Sequence, residues 1–144
     1  PTPEVSAVWG LDRLDDLLQM SDWFVVTAPL TPDTRGLIDK RRIELLKDGA
    51  YVIVISRGHI VDEAALADAL RSGHLAGIGL DAMAEEPLPE KNPLWDMANV
   101  VITPHASAVT NEMFDARQDI FRENLRRYQA GESFLYVCDK RAGF

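Results

Sequence analysis

The stretch AYVIVISRGHIVDEAALADALRSGHLAGIGLD, residues 50–81, decides the fold. It opens on the apolar run Ala50–Ile55, too short for a buried helix and rich in Val and Ile, which predicts a strand. Asp62–Ser72 follows, with Ala65, Leu66, Ala69 and Leu70 at helical spacing, and stops at Gly73, a residue type that closes helices. A second apolar run, Ala76–Leu80, predicts another strand. A strand, a helix and a strand in this order form a crossover unit with parallel strands.

Outward from this unit the pattern repeats. Apolar runs at Trp23–Thr27 and Val100–Thr103 join the other two, and the four starts lie 27, 26 and 24 residues apart. That spacing holds one strand and one helix. Near-continuous apolar character predicts strands buried on both faces of a parallel sheet, with helices on both sides. Leu11–Met20, with Leu11, Leu14, Leu17 and Leu18, and Asp39–Lys47, with Ile43, Leu45 and Leu46, predict two further helices. Thr110–Ala130 predicts the longest, with Thr110 as N-cap, Gly131 as terminator and a stripe of Met113, Ile120, Phe121, Leu125 and Tyr128. Glu85–Pro93 holds three prolines and reads as a loop. Phe134–Val137 reads as an extra strand or a connecting segment. The class is α/β.

Composition sets bounds on function. A length of 144 residues fits one domain of roughly 100–150 residues. A net charge of −8 argues against a nucleic-acid backbone or an anionic membrane as partner. No apolar run approaches the roughly 20 residues of a membrane span, and PTPEVSAVWG lacks the basic start and apolar core of a secretory leader. Cys138 is the single cysteine, which points to a reducing compartment and a cytoplasmic placement.

Ligands of open α/β sheets bind at the carboxyl ends of the strands. Those ends carry Ala28-Pro29-Leu30-Thr31, then Ser56-Arg57-Gly58, then Asp81 with Glu85-Glu86-Pro87, then Pro104-His105. An arginine, carboxylates and a histidine at one edge can hold an anion and move a proton. Each alone has an ordinary reading as a solvated loop residue or a turn former. Gly77-Ile-Gly79-Leu80-Asp81-Ala82 spells G-x-G-x-x-A, but it lies in a strand with prolines after it. It therefore reads as a packing site and not as a phosphate-binding turn. Neither a zinc-ligand spacing nor a G-x-S-x-G elbow is present.

Four stretches carry a resemblance: APLTPDTRGLID (28–39), SRGHIVDEAALADAL (56–70), GIGLDAMAEEPLP (77–89) and NVVITPHASAVT (99–110). In this order and spacing the chain resembles the cofactor domain of the D-isomer-specific 2-hydroxyacid dehydrogenases. The resemblance implies that residues 1–144 form a partial Rossmann-like, dinucleotide-binding domain. It lacks the first βαβ unit with its Gly-rich loop, and residues 131–144 connect to a substrate domain. It implies hydride transfer between NAD or NADP and a small 2-keto or 2-hydroxy acid such as glyoxylate, hydroxypyruvate or phosphoglycerate. Arg57, Glu86 and His105 take the catalytic positions: the substrate carboxylate grip, the carboxylate partner and the proton carrier. Pro29, Thr34, Ser56, Arg57, Asp81 and His105 take cofactor-binding positions. Val54 departs from the family, which often has Asn there. The resemblance further implies a homo-oligomer, and a chain that is inactive without the Gly-rich half. The same residues also fit a non-catalytic nucleotide-sensing or oligomerisation module of this fold.

Overall fold

The computed structural model describes residues 4–141. They divide into two compact units, residues 4–105 and 106–141. The first runs through a 3-10 turn (Leu11–Arg13), α1 (Leu14–Met20), β1 (Trp23–Val26), α2 (Lys40–Ile43), β2 (Ala50–Val54), α3 (Glu63–Ser72), β3 (Leu75–Leu80), a 3-10 turn (Pro93–Asp96) and β4 (Val100–Ile102). The second contains α4 (Asn111–Ala130).

The four apolar runs are the four strands. They form one parallel sheet in the order β1-β2-β3-β4. Side chains alternate across it. Phe24, Val52 and Ile78 stand in register on one face, with Val26, Val54 and Leu80 in the next layer, and all six are buried. Leu18, Ile43 and Leu66 from α1, α2 and α3 are also buried in this core.

Contrary to what their apolar character predicts, the strands are not buried on both faces. Trp23, Val25 and Val101, on the opposite face, are 61%, 47% and 66% exposed. Topology gives the reason. When parallel strands follow one another in a single direction, right-handed crossovers put every connection on the same side. The helices between the strands therefore flank one face. On the other face the Tyr51 ring lies over Gly77, where a Cβ would meet that ring at 3.1 Å, and Trp23 stacks on Tyr51 with centroids 4.2 Å apart. Gly77 and Gly79 thus lie within β3 as packing residues, and the G-x-G-x-x-A match is no phosphate turn.

The helices follow their caps. The Asp62 side chain accepts from Ala65 N–H at the start of α3, and Gly73 ends it with φ 80°. Ala65, Leu66, Ala69 and Leu70 are buried, as the stripe predicts. α1 begins later than expected, after the 3-10 turn, and of its stripe only Leu14 and Leu18 are buried. α2 is a single turn capped by Asp39, shorter than the expected 39–47. Beyond it Leu45 and Leu46 bond three residues back, to Arg42 and Ile43, so the chain tightens before it turns into β2. Pro93–Asp96 adds a 3-10 turn, capped by Asn92, at the end of the predicted loop.

In the second unit α4 starts at Thr110, whose side chain accepts from Met113 N–H, and closes at Gly131. Its apolar stripe has helical spacing, yet none of its residues is buried. Phe121, Leu125 and Tyr128 are 69%, 50% and 71% exposed. Phe134–Val137 is not a strand. Leu135 exchanges two hydrogen bonds with the Asn124 side chain, and Phe134 stacks on Tyr128. Of the predicted connecting segment 131–144, the last three residues lie outside the described residues.

Candidate active site

Every predicted site residue falls at the carboxyl edge of the sheet in the first unit, because the strands are parallel and each ends there. Arg57 follows β2, Asp81 and Glu86 follow β3, and His105 follows β4. The structure brings three of them into a chain. Arg57 Nη1 lies 3.2 Å from His105 Nε2. His105 Nδ1 lies 2.9 Å and 3.1 Å from the two carboxylate oxygens of Glu86.

The donors and acceptors assign the protons. The guanidinium has only protons to give, so Nε2 accepts from Arg57 in this arrangement. The carboxylate has only lone pairs, so Nδ1 carries a proton and donates to Glu86. Nε2 is thus the nitrogen that takes and releases a proton. His105, and after it the Met83 amide, hold the Glu86 carboxyl below its ordinary 4.5. Both side chains of the pair are about one-third exposed, so a ligand reaches them. His105 itself has φ 54°, in the left-handed region that few residues other than glycine adopt.

Asp81 is 3% exposed and accepts a hydrogen bond from Thr103 Oγ1 at 2.6 Å. Ser56 is buried, and its hydroxyl has no hydrogen-bond partner among the described residues. Pro29 lies in the segment after β1. Thr34 is buried, and its hydroxyl donates to Pro29 O at 2.6 Å. Thr34 therefore braces the turn behind Pro29. This segment is tied to the Arg57 loop: Gly36 N–H donates to His59 O, Ile38 N–H to Ile60 O, and Asp62 N–H to Ile38 O. On the Glu86 side of the imidazole lies a cleft of about 420 Å³, lined by Met83, Leu88, Trp95 and Pro104 among others.

Three residues at this edge escape sequence reasoning. A Cβ on Gly58 would overlap the Met83–Ala84 peptide, so the Arg57 turn and the Glu86 loop touch backbone to backbone. Glu63 accepts from Ala84 N–H. Thr103 holds Asp81. The only signal for Gly58 was its place after Arg57. Glu63 reads as an ordinary acidic residue in a helix's first turn, and Thr103 as the end of a strand.

Residues 2–107 match the model of the D-isomer specific 2-hydroxyacid dehydrogenase, NAD binding domain. The chain belongs to this family. Among dehydrogenases similar to it, D-3-phosphoglycerate dehydrogenase of Mycobacterium tuberculosis is 43% identical over 133 residues, covering 91% of this chain and 25% of that protein. Glyoxylate/hydroxypyruvate reductase A of Photorhabdus laumondii is 37% identical over 135 residues, covering 94% and 42%. A D-isomer specific 2-hydroxyacid dehydrogenase from Xanthobacter autotrophicus, solved with NADPH and MES, superposes with a TM-score of 0.88 at 44% identity, covering 99% of this chain and 60% of that one. The chain thus spans between a quarter and a half of the length of the curated relatives it matches. Among the described residues no helix is long and apolar enough to cross a membrane, and no group of His, Cys, Asp and Glu is placed to hold a metal ion.

Proposed function

We propose that this chain supplies the acid–base and nicotinamide-facing half of an NAD(P)-dependent oxidoreductase that interconverts a small 2-keto acid and its 2-hydroxy acid. The observation that carries this reading is the continuous Arg57–His105–Glu86 chain at one sheet edge. The names of the relatives, phosphoglycerate dehydrogenase and glyoxylate/hydroxypyruvate reductase, agree with it.

The residues suit the nicotinamide end of the cofactor. Asp81 offers a carboxylate to a carboxamide, the Ser56 hydroxyl, without a partner among the described residues, lies beside Arg57, and Pro29 gives a flat wall. These 144 residues hold no Gly-rich turn for a pyrophosphate, so we assign that contact, and most contacts to the rest of the substrate, to other parts of a longer protein. A bound nicotinamide supplies the hydride; the protein supplies position and charge. The Arg57 guanidinium pairs with the substrate carboxylate through two parallel hydrogen bonds and fixes the carbonyl face. As it does so it releases His105 Nε2, which takes up a proton. The imidazolium gives that proton to the carbonyl oxygen as it becomes an alcohol. Glu86 keeps the ring oriented through the Nδ1 hydrogen bond.

The test is NAD(P)H oxidation with glyoxylate, hydroxypyruvate and phosphorylated hydroxypyruvate. It compares this chain alone, the complete product of its gene, and the His105→Ala variant of that product. We expect no turnover by the chain alone, turnover by the complete product, and a loss of about 10²–10⁴-fold in kcat on removing the imidazole. A His105→Ala enzyme as fast as the wild type overturns the mechanism. A complete product that binds nucleotide and never turns over favours the non-catalytic module instead.

A further inference from the structure

Glu86 and His105 meet only if the loop after β3 is placed correctly, and the structure shows what places it. Two successive amides of that loop are each held by a carboxylate. Met83 N–H donates to Glu86 Oε1 at 2.9 Å, and Ala84 N–H donates to Glu63 Oε1. The two grips differ in kind. Glu86 belongs to the loop itself, whereas Glu63 is the first residue of α3, twenty-one residues away in sequence and anchored by the Asp62 cap and the buried face of the helix. The peptide between the two amides lies against Gly58, where no Cβ fits. One rigid peptide unit is thereby fixed between the Arg57 turn, the start of α3 and the Glu86 carboxylate. The Glu63 side chain is half-buried, and burial pushes its carboxyl above the ordinary 4.5 while the Ala84 amide pulls it back. A carboxylate kept partly away from water holds an amide partner firmly.

We propose that Glu63 is a positioning residue for the acid–base pair: by holding Ala84 N–H against the Gly58 turn, it sets the distance from Glu86 to His105 and the register of both with Arg57. This inference rests on the dehydrogenase reading above. Glu63 does not reach the reacting atoms; it acts through the Ala84 amide. Removing its carboxylate lets the 83–86 turn drift from Gly58 and carries Glu86 with it, and a misplacement of about 1 Å at a reacting centre can cost about 10²-fold in rate.

The test uses Glu63→Ala, Glu63→Asp and Glu63→Gln. In the complete gene product, Glu63→Ala and the shorter Glu63→Asp should lower kcat by about tenfold or more with KM for the nicotinamide cofactor held within about twofold, while Glu63→Gln, which keeps an acceptor oxygen of the same reach, should recover most of the rate. In this chain, the His105 Nδ1 and Nε2 resonances in a ¹⁵N spectrum should move in Glu63→Ala and Glu63→Asp and stay in place in Glu63→Gln. If Glu63→Ala does not fold, Glu63→Asp decides, since it keeps the acidic first turn of α3. Unchanged kcat and unchanged His105 resonances in Glu63→Asp overturn the proposal, as does a rate loss that only follows the unfolded fraction. A wild-type enzyme without dehydrogenase activity overturns the functional reading by itself, and the His105 resonances then decide the role of Glu63 alone.

Discussion

His105 Nδ1 lies within hydrogen-bonding distance of both Glu86 oxygens, and this one contact has a readable pH signature. The pair holds the Glu86 carboxyl below 4.5 in the folded chain. A carboxyl lowered on folding stabilises the fold above its unfolded value and loses that contribution as pH falls through the folded one. The Glu86 side-chain carbon, followed by ¹³C NMR, should therefore titrate with a midpoint under 4.5, and the midpoint should rise in His105→Ala. A midpoint at or above 4.5 in the wild type would show that the pair does not form in solution. Arg57, Glu86 and His105 are legible in the sequence because residues in the turns and loops that follow parallel strands lie at one edge of the sheet. Glu63 and Thr103 are not legible, because their partners, Ala84 and Asp81, lie more than twenty residues away and only the fold brings them close.

Elements were legible to the extent that local chemistry determines them. α3 combines an apolar stripe with Asp62 at its start and Gly73 at its end, and it appears within a residue of the predicted bounds. Asp62→Ala removes the side chain that accepts from Ala65 N–H, and the cost should be about 1 kcal/mol, a fall of roughly 4 °C in Tm for a domain of this size. Asp62→Asn, which keeps the acceptor, should restore most of it, and thermal denaturation followed by circular dichroism measures both. α2 was overextended by sequence reasoning because its apolar residues Ile43, Leu45 and Leu46 keep helical spacing through a tightened turn that is no longer α-helical. Burial of β1 and β2 on both faces was also misread. Trp23, Val25 and Tyr51 make those strands look apolar throughout, yet all three face outward. Composition does not reveal which face a crossover covers; strand order does.

At the scale of the whole molecule, that outward face leads to a prediction about association. Trp23, Val25, Tyr51 and Val101 form an apolar surface on a sheet that, among the described residues, ends in an unpaired edge at β1. Exposed apolar patches and open edges both favour self-association. Light scattering of this chain should show a mass above 16.0 kDa that rises with concentration, and Trp23→Glu with Val101→Glu should lower it. A monomer at every concentration would count against the prediction. The polarity of the sheet has a different consequence. All the reactive side chains stand where the strands finish, while the turns at Asp48–Gly49 and Ser72–Gly73 sit where β2 and β3 begin, about 17 Å away along the strand axis. The Asp48 side chain is 96% exposed on that far side and pairs with His74. With the exposed Cys138 replaced by serine, a cysteine introduced there becomes a single handle for a dye, a resin or an electrode, and a protein tethered by it keeps its chemistry facing the solution.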